Sequence, residues 1–216
     1  MDIGWASRGW GPRSPSPSTR KPWVVAYLAI SAVLWTGGFL LIAWRSPGLI
    51  RERTRPGPGT LEGVAEETVL YALPTAAHWL LAALDRPGRP GWRPMAPPLQ
   101  ALGLVVYAVA NVLVIWAELI NPFFSSAVRI QTERGQHVIT SGPYAFVRHP
   151  GYAAGALLLT SSALALGSWL SMVPAIFFSL ALIRRARIED AFLKDNLSGY
   201  AEYAQRVRYR LLPGIW

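Results

Sequence analysis

The chain has 216 residues, of which 52% are hydrophobic and only 15% are charged. Soluble domains carry about 25% charged residues, so this composition argues against a soluble globular protein and predicts that much of the surface faces lipid. Ten tryptophans and eight tyrosines favour the same interpretation, since both residue types are enriched at membrane interfaces. The absence of cysteine excludes disulfides, thiol catalysis and cysteine-based metal sites.

The formal net charge is +9, a value that by itself is compatible with nucleic-acid binding. The basic residues lie beside apolar segments, however, and do not form one long soluble stripe. Anionic lipid headgroups are therefore the expected partner, and nucleic acid is not.

The first 22 residues are rich in Gly, Ser, Pro, Arg and Trp and show no periodicity, so we expect residues 1–22 to form a flexible tail. They lack the apolar core and the cleavage site of a signal peptide. Residues 23–120 are predicted to hold three transmembrane helices, at 24–44, 64–84 and 99–119. Each is long enough to cross about 30 Å of hydrocarbon at about 1.5 Å per residue.

The segments between these spans are predicted as loops. Residues 45–63 contain several arginines and a Pro-Gly-Pro-Gly run, which is typical of turns. Pro74 is expected to kink the second span. His78 and Asn111 lie inside spans, where polar side chains usually pair with one another.

Two shorter apolar stretches follow, at 150–166 and 169–183, and only Gly167-Ser168 separates them. So short a turn predicts two antiparallel helices that form a tight hairpin. Residues 184–216 are charged and amphipathic, with helices expected at 183–196 and 200–208, outside the membrane.

The predicted fold is thus an all-α integral membrane protein with about five transmembrane helices and a C-terminal helical segment. Fourteen of the 21 Lys and Arg residues fall on the side that holds the linker before the hairpin and the C-terminal segment. The positive-inside rule places that side in the cytoplasm.

Two motif-bearing stretches flank the hairpin on this predicted cytoplasmic side. The first runs from Val138 to Tyr152 and contains Gly-Pro-Tyr-Ala-Phe-Val-Arg-His-Pro-Gly-Tyr from Gly142 onward. The second runs from Arg184 to Leu193, with Arg-Ile-Glu-Asp at 187–190, and continues with Gly-Tyr-Ala-Glu-Tyr at 199–203 and with residues 207–216. Because a hairpin returns the chain to the side where it began, we expect the two stretches to meet.

Together these stretches resemble the isoprenylcysteine carboxyl methyltransferase family and the wider group of membrane methyltransferases that includes the phospholipid N-methyltransferases. The resemblance covers residues 121–216, which are predicted to form a methyltransferase core of linker, hairpin and C-terminal lid. The acidic pair departs from the family pattern, because it is Glu189-Asp190 instead of two glutamates.

The resemblance implies S-adenosylmethionine as the methyl donor, bound at the cytoplasmic end of the hairpin under the C-terminal lid. We expect a lipophilic or lipidated acceptor, because a pocket buried among the helices is reached from the bilayer only between them. The implied catalytic residues are Arg148, Glu189 and Arg187. The implied cofactor-binding residues are Tyr144, His149, Pro150, Tyr152, Glu189, Tyr200 and Tyr203. No metal site is expected, because the three histidines are too widely spaced along the chain.

The acceptor stays open between two chemistries, with a carboxylate preferred. Arg148 offers a planar fork suited to a carboxylate, and a carboxylate needs no general base. An ammonium acceptor must first lose a proton, for which Glu189, Glu118 or His149 are candidates. Arg148 and Glu189 are both expected to lie outside the apolar core.

Two rival interpretations remain. NADPH-dependent membrane reductases also carry Arg-His-Pro near a late apolar hairpin, but they tend to continue with Asn-Tyr-Phe-Gly, whereas Gly-Tyr-Ala-Ala follows Pro150 here. A non-catalytic scaffold with the same fold is the second rival, and retention of both motif stretches argues against it.

Overall fold

A computed structural model describes residues 21–54, 66, 68–125 and 127–216 of the chain, and these form helices, turns and loops without a strand. Residues 1–20 of the predicted N-terminal tail lie outside the described residues. The described α-helices are α1 (Lys21–Arg45), α2 (Pro47–Thr54), α3 (Leu73–Leu84), α4 (Pro97–Ile120), α5 (Pro150–Ala165), α6 (Met172–Asn196) and α7 (Tyr200–Arg206). The predicted all-helical class is confirmed for this part of the chain.

Within the described ranges, two helices are long and apolar enough to cross a membrane, at Pro22–Arg45 and Pro97–Ile120. They correspond to the first and third predicted spans. In the second predicted span, the structure describes residue 66 and residues 68–84. This part contains a π-helical turn at Thr68–Ala72 that continues directly into α3. The crossing of the membrane by α3, α5 and α6, and hence the number of five spans, stays a prediction.

The prediction of a loop at 45–63 was wrong for its first part, because Pro47–Thr54 forms α2. Residues 55–63 lie outside the described residues. Leu49 and Glu52 are buried on one side of α2, and their burial stabilises this helix. The turn-forming residues further along the chain had favoured the prediction of a loop. Arg51 faces outward.

The prediction that a helix ends near residue 183 was also wrong. Helix α6 continues without interruption from Met172 to Asn196, and its sequence contains no Gly or Pro between Pro174 and Gly199 to stop it. It also begins three residues later than predicted. The acidic pair therefore lies on the continuation of an apolar helix, which fixes its direction relative to α5.

Helices α5 and α6 run antiparallel and are joined by residues 166–171. Ser179 Oγ donates to Ala156 O at 2.5 Å, and about one turn further from the connection Arg185 Nε donates to Tyr152 Oη at 2.8 Å. Helix α4 packs closely on the end of α5, since a Cβ on Gly103 would lie 2.5 Å from the backbone nitrogen of Ala165.

Polar side chains inside the helical bundle pair internally, as expected from the sequence. His78 Nε2 lies 2.9 Å from Ser162 Oγ, and its Nδ1 lies 3.2 Å from the carbonyl oxygen of Ser171. Asn111 Oδ1 accepts from Trp35 Nε1 at 3.1 Å. These bonds join α3 to α5 and α1 to α4.

Candidate functional site

The two motif stretches meet beside the first turn of α5. The backbone N–H groups of Arg148 and His149 donate to the carbonyl oxygens of Tyr209 and Arg210, each at 2.9 Å. Tyr203 Oη donates to the carbonyl oxygen of Tyr144 at 2.7 Å. The C-terminal segment is thus bonded directly to the Arg-His-Pro stretch, as the sequence predicted.

Asp190 is the electrostatic centre of this junction. Its carboxylate accepts from Arg148 at 2.6 and 3.1 Å, from Arg210 at 2.9 Å and from Tyr200 Oη at 3.1 Å, and Lys194 Nζ lies 3.0 Å away. Burial alone would raise the pKa of Asp190, but the hydrogen bonds that it accepts hold that pKa well below its usual value. Asp190 is therefore ionised at neutral pH and fixed in place.

Arg148 is committed to this junction. Its guanidinium forms the two bonds to Asp190, and its Nη1 donates to the carbonyl oxygens of Val207 at 2.7 Å and Arg208 at 2.8 Å. The side chain is only 4% exposed. Arg148 was expected outside the apolar core; it is buried in this polar junction, where its planar fork is occupied by a carboxylate of the protein itself.

A cavity opens next to this junction, with an empty volume of about 770 Å³ that includes open solvent at its mouth. The lining combines aromatic, polar and charged side chains from the linker, α5, α6 and α7. Among the lining residues are Phe123, Phe124, Arg129, Gln131, Tyr144, Arg148, His149, Tyr152, Glu189, Tyr200 and Tyr203.

Glu189 lines the cavity, whereas the neighbouring Asp190 does not. Consecutive helical residues point about 100° apart, so one carboxylate faces the cavity while the other holds the lid. Tyr152 Oη donates to Glu189 Oε2, and Arg185 Nε donates to Tyr152 Oη. The two acidic residues therefore have different roles: Glu189 faces the cavity, and Asp190 binds the C-terminal segment.

Four tyrosines and one histidine form much of the wall. His149 Nε2 lies 3.3 Å from Tyr200 Oη and 3.4 Å from Asp190 Oδ1. Burial raises the pKa values of Tyr144, Tyr200 and Tyr203 above their usual range. These hydroxyl groups stay neutral and keep their hydrogen-bonding roles at physiological pH.

Other predicted site residues lie away from the cavity wall. Pro150 is buried at the first position of α5, where it fits the geometry of a helix start. Arg187 is exposed, and its guanidinium lies over the ring of Trp216, 4.8 Å from the centroid. Glu118, a candidate base, is paired with Arg53 at 2.6 Å. The structure brings together the remaining predicted residues and leaves these three outside the cavity lining.

Sequence reasoning missed a second ion pair that shapes the cavity. Arg129 lines it, and both carboxylate oxygens of Glu52 on α2 accept from Arg129 at 2.8 Å. Glu133 accepts from the same guanidinium at 2.5 Å. The pairing joins residues 77 positions apart, so local spacing carried no signal for it.

The cavity wall fits a cationic ligand with a planar ring. Aromatic faces attract cations and stack on planar groups, and Glu189 supplies a negative charge. S-adenosylmethionine carries both a sulfonium and an adenine ring, so the residues present fit this cofactor. Tyr144, His149, Tyr152, Glu189, Tyr200 and Tyr203 are the residues that would hold it.

Comparison with known proteins gives a family match for the central part of the chain. Residues 98–198 match the family model described as phospholipid methyltransferase, a family of membrane-embedded methyltransferases. The predicted resemblance to the membrane methyltransferases is thereby confirmed over this segment, which contains α4, α5, α6 and most of the cavity wall. The match supports a membrane methyltransferase.

Two curated relatives match part of the chain. The cobalt-zinc-cadmium resistance protein CzcN of Cupriavidus metallidurans is 31% identical over 113 residues, which are 52% of this chain and 48% of that protein. The Delta(14)-sterol reductase TM7SF2 of Mus musculus is 28% identical over 99 residues, which are 44% of this chain and 24% of that protein. The chain therefore spans about half the length of the first relative and about a quarter of the second.

Proposed function

We propose that this protein transfers a methyl group from S-adenosylmethionine to a lipophilic acceptor at the cytoplasmic surface of a membrane. The observation that carries the proposal is the junction itself, where Glu189 and several tyrosines line one cavity beside the bonded motif stretches. The family match over residues 98–198 supports the same reaction class. S-adenosylmethionine supplies an electrophilic methyl group when it is bound.

The residues of the chain would act mainly by holding the reactants and excluding water. Aligned reactants in a closed site gain rate through positioning, and the C-terminal segment covers the site because Asp190 and Arg148 hold it in place. The tyrosine rings offer faces to the positive sulfonium. Glu189 adds a negative charge near the reacting centre, and Tyr152 orients that carboxylate.

The geometry favours an amine acceptor over the carboxylate that the sequence suggested. Both arginines that line the cavity already hold carboxylates of the protein, since Arg148 binds Asp190 and Arg129 binds Glu52. An incoming carboxylate would have to displace one of these buried pairs. An amine would instead find the carboxylate of Glu189, which is also placed to accept the proton that an ammonium must lose.

Labelled methyl transfer tests the proposal. The full chain in nanodiscs is incubated with methyl-labelled S-adenosylmethionine and either an acyl-chain amine or the carboxylic acid of the same chain length. We expect label in the amine, and a loss of at least tenfold in Glu189→Gln. Glu202→Gln is the matched control, because Glu202 is an exposed carboxylate on α7. Label only in the acid would refute the amine assignment, and label in neither would count against methyl transfer.

A second candidate is an NADPH-dependent membrane reductase, which the match to a sterol reductase favours. The two candidates differ in the charge of their cofactors. NADPH carries several negative phosphate charges, which the carboxylate of Glu189 on the cavity wall would repel. S-adenosylmethionine carries a positive sulfonium, which the same carboxylate would attract. A saturating NADPH-dependent rise in melting temperature, with no response to S-adenosylhomocysteine, would favour the reductase.

A further inference from the structure

The loop formed by residues 209–216, here called the lid loop, presents an apolar tip to the outside of the protein. Ile215 is 78% exposed and Leu212 is 48% exposed. An exposed apolar surface with polar residues around it marks a site that contacts a partner or a membrane. The lid loop lies outside the two helices that are apolar enough to span a membrane, so span packing does not account for this exposure.

The lid loop is a closed and well-defined turn. The backbone N–H groups of Arg210, Leu211 and Leu212 all donate to the carbonyl oxygen of Trp216, at 3.0 to 3.2 Å. Gly214 has a φ of +82°, a conformation that glycine adopts without strain. Leu211 points inward and is 7% exposed, so the apolar tip is displayed by the fold of the turn.

Arginines lie over the aromatic ring of the lid loop and on the chain that leads into it. The guanidinium groups of Arg187 and Arg210 lie over the ring of Trp216, at 4.8 and 5.1 Å from its centroid. Arg206 and Arg208 are exposed on the chain that leads into the loop. An apolar tip beside an aromatic ring and several arginines is complementary to a membrane surface that carries anionic headgroups.

A series of contacts links the lid loop to the end of a candidate membrane span. Helix α4 is a candidate span that ends at Ile120, and a Cβ on Gly142 would lie 3.0 Å from Cγ1 of Ile120. The chain that begins at Gly142 leads to Arg148, whose backbone N–H donates to the carbonyl oxygen of Tyr209. Phe146, two residues before Arg148, is 67% exposed and extends the apolar surface along this boundary.

We propose that the lid loop docks on the anionic phospholipid headgroups of the leaflet that borders the site, with Leu212 and Ile215 inserted among them. Docking would hold the cavity mouth at the leaflet surface, from which a lipophilic molecule enters. The docking does not rest on methyl transfer, because the exposed side chains and charges of the loop carry it alone.

Single-cysteine labelling tests the docking directly, since the chain contains no cysteine of its own. Ile215→Cys carries a nitroxide in the full chain, reconstituted into phosphatidylcholine vesicles with or without phosphatidylglycerol. The exposed position of Ile215 makes the substitution nearly neutral for folding. Gln205→Cys is the matched control, because Gln205 is exposed on α7 ahead of the loop.

In anionic vesicles we expect the label at residue 215 to be more accessible to oxygen than to a water-soluble nickel complex, and the label at residue 205 to show the reverse. Added salt or Arg208→Gln should shift the label at residue 215 toward the nickel complex, because both weaken attraction to the headgroups. Equal immersion in neutral and anionic vesicles, or nickel accessibility in both, would overturn the proposal.

Discussion

Replacement of Asp190 by asparagine should destabilise the whole junction. The change keeps the size of the side chain but removes the charge that holds Arg148, which is buried with a 4% exposed side chain. Breaking one partner of a buried ion pair costs about 3–5 kcal/mol. In a chain of this size, about 2–4 °C of melting temperature is lost per kcal/mol, so we expect a fall of at least about 6 °C.

Thermal unfolding of the purified protein in detergent measures this effect, and Glu189→Gln is the matched control. Glu189 is the adjacent carboxylate, but it lines the cavity instead of holding the lid. We expect the control to unfold within a few degrees of the wild type. A melting temperature for Asp190→Asn that equals that of the wild type would refute the role of Asp190 as the centre of the junction.

The same carboxylate predicts how stability depends on acid. The pKa of Asp190 is lower in the folded protein than its reference value of 3.8. A group with a depressed folded pKa contributes stability above its unfolded pKa and loses it as pH falls. The difference in melting temperature between wild type and Asp190→Asn should therefore shrink below about pH 4, and a constant difference would contradict this reasoning.

Two further substitutions test the cavity wall. Gly151→Ala should weaken cofactor binding, because the new Cβ would lie 2.3 Å from the ring of Phe124, which lines the cavity. Calorimetric titration measures the change in affinity. Gly155→Ala is the control, since its Cβ meets only the end of a flexible leucine at 3.1 Å, and equal affinities would contradict the prediction. Glu52→Gln should lower the free energy of unfolding by roughly 1.5–3 kcal/mol, the usual range for hydrogen bonds to charged groups, because Arg129 loses its bidentate partner. Chemical denaturation with an unchanged midpoint would count against this role.

The sequence allowed the long helices to be predicted because their apolar runs are continuous. The predicted span at 99–119 differs from α4 by two residues at its start and one at its end. Helix α2 was missed because its stability comes from Leu49 and Glu52, whose burial depends on distant residues. The full length of α6 was missed because a change from apolar to charged residues was taken for the end of a helix.

The candidate site was predicted in outline and corrected in detail. The meeting of the two motif stretches followed from the order of the helices along the chain. The separate roles of Glu189 and Asp190 depend on the rotation of α6 about its axis, which side-chain contacts define and residue order does not. The pairing of Arg148 with Asp190 was not predicted, because the two residues lie 42 positions apart.

Calorimetric titration of the full chain with S-adenosylhomocysteine, with NADPH in a parallel experiment, tests the central claim most directly. We predict saturable binding of S-adenosylhomocysteine and no heat from NADPH, with the affinity for the former reduced at least tenfold in Tyr152→Phe or Gly151→Ala. Binding of NADPH alone, or of neither compound to a correctly folded protein, would show that the cavity beside Glu189 does not hold a methyl-donor nucleoside.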